Sequence, residues 1–541
     1  MKDISPAELV DRLRINLRDA GINVGETDLG LLIEKGFLNS VLAFEQAARD
    51  SVATDSPEMG PPSLSPPGTT PGLTSKSEGD PSHPHVVSAG QRSGEGASGA
   101  GHEGLLDRSL SEVSMLIAGK ELSPVDLVNE ALQRIEERNA FINAFHLVRP
   151  EAARAEALEA QREIARSGPR SPLHGLPIAV KDIFDMEGVP TKAGSKILGT
   201  EGAKKDAHAV ALLKAAGAII VGKSALPEFS FSPGSNNDHY GPTRNPRDPE
   251  RDSGGSSAGS AASVADGMAL VAIGSDSGGS ARIPASFCGL VGLKPSWAWS
   301  SLEGSVGLSW SLDTLGVLSK SIEDALVVSS ILDSTRTWRP APSGIPSISG
   351  MRIGAIRGEG RGRALAEPDV LAAWEQGLAH LRDAGAAIVD VEIDELPQLR
   401  AINSAILAME AAALHRDLQS KHLDLYGEFA RLGLLVGWAY GPTDYLRARQ
   451  MLGRLRAKML ARFESLNLLC SPTMTSEATI LGRPPKITFT APFNALGWPA
   501  ISVPGGKGAT GLPVGFQLIA RPGDEASMLA AARTVEAAWQ R

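Results

Sequence analysis

The hydrophobic pattern changes character twice along the chain. Over residues 1–50 it has a helical period. Ser5-Pro6-Ala7-Glu8 pairs a capping serine with a glutamate three positions on and a proline at the first helical position. Leu9, Val10, Leu13 and Leu17 then share one face, and Gly21 stops the run. A second helical pattern runs from about Thr27 to Arg49, with Leu31, Leu32, Leu38, Val41, Leu42 and Phe44 as its apolar positions. So short a helical segment cannot bury these stripes alone, and it is expected to pack on the rest of the chain or on a second subunit. Over residues 51–104 the pattern dissolves into Pro, Gly, Ser and Thr ("SPEMGPPSLSPPGTTPGLTSKSEGDPS"), the composition of a flexible linker. Over residues 105–541 regularity returns. Helical stretches such as "SPVDLVNEALQRIEERN", capped by Ser123 and Pro124, alternate with short apolar runs such as "PIAV", "AIIVG" and "ALVAIG". That alternation predicts an α/β fold, a sheet covered by helices on both faces.

Composition narrows the function classes. With 541 residues, 42% hydrophobic and 21% charged, the chain can bury one large core or two ordinary ones. A formal net charge of -9 gives no overall positive field for phosphates, which argues against a nucleic-acid partner and for a small-molecule ligand. The N-terminus lacks the continuous apolar run of a signal peptide, and the longest apolar candidate, "VALLKAAGAIIVG", is broken by Lys214 and two glycines. A cytoplasmic protein without a membrane span is expected. The two cysteines, Cys288 and Cys470, each sit among apolar residues, as buried thiols in a reducing compartment do. His83, His85 and His102 fall in the linker, where nothing fixes a metal geometry, and neither a metal nor a cofactor is expected.

Two short motifs match patterns whose context is wrong. "GAIIVGKS", from Gly217 to Ser224, fits a phosphate-binding loop, but a helix precedes it and its middle residues are strand formers. A helix, a turn and a strand is the better reading. "GSSAG" fits a nucleophile elbow centred on Ser257, yet a polar, proline-broken loop precedes it where a buried strand is required. The histidines that would complete such a triad, His380, His415 and His422, lie in helical or charged surroundings that read as solvated faces.

A constellation carries more. It joins "GLPIAVKD", "GGSSAGSAASVADG" and "GSDSGGSARIPASFCGLVGLKPS". Lys181 ends an apolar strand, where desolvation disfavours its ammonium and a neutral amine can act as a base. A strand-end lysine paired with Asp182 is the plain alternative, and the two serine loops favour the base. In the second loop, the consecutive backbone amides of Ser277, Gly278, Gly279 and Ser280 can turn toward one point, the design of a main-chain oxyanion hole. Ser280, at the end of that loop and just before a buried apolar run, is the natural nucleophile. Asp276 and Arg282 flank the loop and are expected to hold it by charged hydrogen bonds.

With these segments, "WSLDTLGVLSKSIEDA", "PFNALGWPAISVPGG" and "GLPVGFQLIARPGDEASML", the chain resembles the amidase signature enzymes over essentially all of residues 105–541. The resemblance implies the amidase signature fold and a Ser-Ser-Lys triad in which Ser280 attacks the carbonyl, Ser256 bridges and Lys181 is the terminal base. It also implies a cis peptide bond entering Ser256. The bridging role of Ser256 rests on the resemblance alone. Two function classes follow: an amidohydrolase cleaving a carboxamide, a carbamate or an ester through an acyl-enzyme, and a glutamine-dependent amidotransferase subunit working with partner proteins. The latter usually carries an "RRIMLGTY"-like stretch, and the corresponding "FARLGLLVGWAYGPTDY" lacks it, which favours the hydrolase. Ala258 departs from a glycine common in the family, as do Trp297 and Trp299 from a frequent Gly-Arg pair. These tryptophans, with Trp438 and Tyr440, are the expected substrate pocket. The N-terminal helices are expected to serve assembly, a homo-oligomer included, or to cover the site.

Overall fold

A computed structural model of the chain describes residues 5–53, 104–334, 347–359 and 365–539. The N-terminal unit consists of α1 (Pro6–Asp19), α2 (Glu26–Glu34) and α3 (Asn39–Ala53). The capping box forms as the sequence predicts: Glu8 N donates to Ser5 Oγ (3.2 Å) and Ser5 N to Glu8 Oε2 (2.7 Å). The pattern over Thr27–Arg49, expected to be one helix, is two. Gly36, at φ +70°, closes α2. Phe37 N donates to Leu32 O (3.0 Å) and Gly36 N to Ile33 O (3.1 Å), a C-terminal cap whose left-handed residue favours glycine. The predicted linker, with His83, His85 and His102, lies outside the described residues except at its ends, where 51–53 continue α3.

The strands are β1 (Phe145–Val148), β2 (Pro177–Lys181), β3 (Ile219–Ser224), β4 (Arg244–Asn245), β5 (Asp248–Asp252), β6 (Val271–Ser275), β7 (Val291–Lys294), β8 (Leu315–Ser319), β9 (Arg352–Gly358), β10 (Ala387–Glu392), β11 (Leu468–Pro472), β12 (Ala500–Lys507) and β13 (Pro513–Ile519). All but the β4–β5 hairpin join one mixed sheet of eleven strands, in the order β1-β3-β2-β6-β8-β7-β12-β13-β11-β9-β10. At one end β3, β2 and β6 run parallel, at the other β11, β9 and β10 do, and antiparallel pairs connect them. Every residue of β2, β3, β6, β7 and β8 is buried, as expected of strands sandwiched between helical layers.

The helices beyond residue 104 are α4 (Leu110–Ala118), α5 (Pro124–Ile142), α6 (Pro150–Ser167), α7 (His208–Ala215), α8 (Ala258–Ala265), α9 (Arg282–Cys288), α10 (Ile322–Leu332), α11 (Pro368–Asp383), α12 (Leu396–His422), α13 (Glu428–Val436), α14 (Asp444–Ala461), α15 (Ala491–Leu496) and α16 (Glu525–Trp539). One core surrounds the sheet. A second joins Leu13, Val41 and Phe44 of the N-terminal unit to Ile402, Leu435 and Leu452 of α12, α13 and α14. The N-terminal stripe is thus covered by the same chain. Polar anchors fix the contact: Asn16 Nδ2 donates to Trp438 O (2.6 Å) and Tyr440 O (3.3 Å), and Arg431 pairs with Asp28 (3.1 Å).

Candidate active site

The site begins at the C-terminal end of β2. β3 and β6 flank this strand on both sides, so its last residue, Lys181, is fully shielded from water. Burial pushes its ammonium down to about 7, against the pull of Asp313 and Asp276 toward the charged form. Lys181 Nζ donates to Ser256 Oγ (2.8 Å) and Ser275 Oγ (2.9 Å). Asp182 does not pair with it. That carboxylate meets Lys223 of β3 instead (2.8 Å), and both are buried. Lys223 belongs to the stretch that mimics a phosphate loop, and the structure makes of it a helix, a turn at Gly217 and strand β3.

Ser256 arrives on the loop after β5. Asp252 accepts from Ser235 N (3.0 Å) and Gly254 N (2.7 Å), and Gly255 N donates to Pro233 O (2.7 Å), so this loop and residues 233–235 lie back to back. A side chain at Gly255 would meet Gly234 O at 2.0 Å, which explains the glycine. The Gly255–Ser256 peptide is cis, as the family resemblance implies. Ser257, the elbow candidate, is fully buried and donates its hydroxyl to Ser275 O (3.2 Å). Its backbone N–H donates to Ser280 O (3.1 Å), which joins the two serine loops.

The second loop turns around a buried ion pair. Arg282 reaches Asp276 through Nε (3.0 Å) and a terminal nitrogen (3.0 Å), and it also donates to Gln517 Oε1 and Asn494 Oδ1, each at 2.6 Å. Burial alone would raise the Asp276 carboxyl. Arg282, with Lys294 and Asn494, outweighs burial and holds it at about 2. Asp276 Oδ1 accepts the Gly279 amide (2.8 Å) and Oδ2 the Ala281 amide (3.1 Å), so the loop is wound on a carboxylate. This corrects one expectation: the Gly279 N–H is spent inside the loop. Ser277, Gly278 and Ser280 line a cavity, and Ser257 does not.

That cavity, about 210 Å³, is apolar on most sides, with Phe231, Phe429, Leu407, Val436 and Ile487 in its lining and no charged side chain there among the described residues. The four aromatic residues expected to form it are elsewhere. Trp299 is buried in the sheet core, and Trp297 is tied by its backbone to Gly497 O (3.0 Å). Trp438 donates its indole N–H to Gln419 Oε1 (3.0 Å), and Tyr440 lies edge-on to Phe44 of α3, with ring centroids 5.7 Å apart. The last two receive the N-terminal helices rather than a substrate. His415 also departs from its expected solvated position. It is buried against the Phe229 ring with Tyr426 Oη on Nδ1 (2.8 Å), and burial lowers its pKa to about 4. Cys288 and Cys470 are buried free thiols.

Residues missed by sequence reasoning include Ser275, the second partner of Lys181, and Gln517 and Asn494, which hold Arg282. Gln517 carried a signal: a lone amide in the apolar strand "PVGFQLI" has to find buried partners. Among the described residues, no cluster of His, Cys, Asp and Glu side chains is arranged to hold a metal ion, and no helix is long and apolar enough to cross a membrane.

Residues 126–529 match the model of the Amidase family. A glutamyl-tRNA(Gln) amidotransferase subunit of Anaeromyxobacter sp. (strain K) is 36% identical over 470 residues, 79% of this chain and 95% of that protein. Among solved structures, the 6-aminohexanoate cyclic dimer hydrolase superposes with a TM-score of 0.72 at 26% identity, over 80% of this chain and 97% of the other. The native peptide amidase of Stenotrophomonas maltophilia does so with a TM-score of 0.68 at 27% identity, again over 80% and 97%.

Proposed function

The chain belongs to the amidase signature family, and from this we propose that it hydrolyses a carboxamide through an acyl-enzyme on Ser280. The observation that carries the proposal is Lys181, wholly buried, brought to about 7 and hydrogen-bonded to Ser256. A neutral Lys181 accepts the Ser256 hydroxyl proton while Ser256 takes the proton of Ser280, and Ser280 Oγ attacks the carbonyl carbon. The oxyanion is received by amides of the loop not spent on Asp276, those of Ser277, Gly278 and Ser280. Ser256 passes the proton to the nitrogen of the tetrahedral intermediate, the C–N bond breaks and the amine departs. Water then attacks the acyl-enzyme by the same relay, releasing the acid and restoring Ser280. A carbamate or an ester fits the same sequence of steps.

A second reading, glutamine-dependent supply of ammonia within an amidotransferase complex, is favoured by the similarity to the glutamyl-tRNA(Gln) amidotransferase. The cavity argues for the first. Glutamine carries an ammonium and a carboxylate on one carbon, and burying both beside a lining with no charged side chain is costly.

The test is a fluorophosphonate label located by peptide mapping, followed by kcat/KM for phenylacetamide, acetamide and glutamine. Label on Ser280 and preference for phenylacetamide are expected. Label on Ser257 overturns the nucleophile, and preference for glutamine returns the second reading.

A further inference from the structure

The cavity that opens on Ser280 is not built by the catalytic elements alone. Phe37 and Ser40, at the corner between α2 and α3, belong to its lining. We propose that the N-terminal helical unit is part of the substrate-binding site, and that Phe37 is a specificity-determining residue selecting amides with a phenyl-sized apolar group. The proposal rests on Ser280 as the nucleophile.

Two aromatic residues of this unit behave differently. Phe44 has no exposed surface and sits against Tyr440, as a side chain retained for folding does. Phe37 is only partly buried. It meets Phe429 of α13 edge-on, with ring centroids 5.3 Å apart and planes at 64°, and both rings line the cavity. Such a pair presents a rigid wall with few torsions to lose when a ligand binds.

The corner is also held in place. Lys35 pairs with Glu428, one residue before Phe429, and Asp28 pairs with Arg431 two residues after it. Ser40 Oγ donates to Phe37 O (3.2 Å). These contacts bind the ends of the wall to each other, so the Phe37 ring is positioned before substrate arrives.

The ligand class follows from size and chemistry. An apolar cavity of about 150 Å³ in another protein binds benzene, and this one measures about 210 Å³, room for a phenyl-sized group beside the amide. A wider cleft of about 560 Å³ shares Ser40, Ser404 and Ile487 with the cavity and is lined on one side by Ala43, Ala47 and Asp50 of α3. α3 therefore borders the approach as well as the pocket.

The experiment compares full-length Phe37→Ala, Phe37→Leu and Ile15→Ala with the parent chain. Ile15 lies on the same unit, 51% exposed and away from the cavity. The readout is the ratio of kcat/KM for phenylacetamide to that for acetamide, per Ser280 labelled by a small fluorophosphonate. Phe37→Ala should lower the ratio about tenfold, mainly through KM, as loss of an aromatic anchor does. Phe37→Leu, which keeps an apolar bulk and the fold, should lower it less, and Ile15→Ala should leave it unchanged. An unchanged ratio in both Phe37 variants, or equal losses on the two amides, overturns the inference while leaving Ser280 standing. Absence of label and of amide turnover in the parent chain overturns the nucleophile, and this inference with it.

Discussion

The floor of the pocket and its wall are held together by different forces. At the floor, Lys181 bonds Ser256 and Ser275, and Arg282 bonds Asp276, through charge-assisted and hydroxyl hydrogen bonds of 2.8–3.0 Å, with almost no exposed surface. At the wall, Phe37 meets Phe429 edge-on, Phe231 and Val436 add to the apolar lining, and the ion pairs beside Phe37 and Phe429 lie partly in solvent. A buried polar network tolerates few alternatives, because each orphaned group costs its full desolvation. An apolar wall tolerates many, because it needs only volume and shape. The difference teaches two kinds of constraint: a substitution at the floor orphans buried polar groups, and one at the wall alters volume and shape.

Four substitutions break or sharpen that contrast. The largest effect is expected from Ser280→Ala, which removes the attacking oxygen. Amide turnover should fall on the order of a million-fold, with no covalent adduct in intact-mass spectra. Residual turnover through an adduct would place the nucleophile elsewhere.

Next, Arg282→Met strands the Asp276 carboxylate without its main counter-charge. A loss of about 3–5 kcal/mol in urea unfolding is expected, the usual result of breaking a buried pair. Stability within experimental error of the parent would mean that the ion pair does not hold the floor.

Lys181→Met should lower kcat by at least ~100-fold. With Lys181 as the proposed base only its neutral amine is active, so kcat/KM of the parent chain should rise with pH through about 7, and the variant should lose that limb. A profile flat across this range, or an equal loss in a folded His415→Ala, would remove the lysine from its role.

The smallest effect should come from the wall. A side chain at Gly433 on α13 would stand 2.3 Å from the Phe231 ring, so Gly433→Ala should shift that ring. Overpacking of this kind costs about 1–3 kcal/mol. KM for an apolar amide should rise on the order of fivefold to tenfold with kcat nearly constant. If kcat fell instead, floor and wall would not be separable.

Much of the floor was legible before the structure. "GSDSGGSARIP" places the proposed nucleophile, its loop and the Asp276–Arg282 clamp within one turn-rich stretch, so local spacing brings them together. Lys181 was legible from the apolar run that precedes it. The exception inside the loop is Gly279, whose amide turns to Asp276. A row of adjacent N–H groups does not reveal which one the flanking carboxylate takes.

The wall was not legible, for a physical reason. Its residues come from the α2–α3 corner, the loop at Phe231, Leu308, α12, α13 and Ile487, segments distant in sequence. An apolar side chain has the same local pattern whether it faces a core or a cavity. Thus Trp297, Trp299, Trp438 and Tyr440 looked like a pocket and lie outside the cavity, while Phe37, which the pattern did not single out, lines it. By itself the sequence determined the alternation that makes the sheet, the need of the N-terminal apolar stripes for a partner, and the candidate reacting groups, because these follow from periodicity and short-range spacing. Only the tertiary structure decided that α12–α14 of the same chain would be that partner, and which apolar side chains the helix packing left facing Ser280.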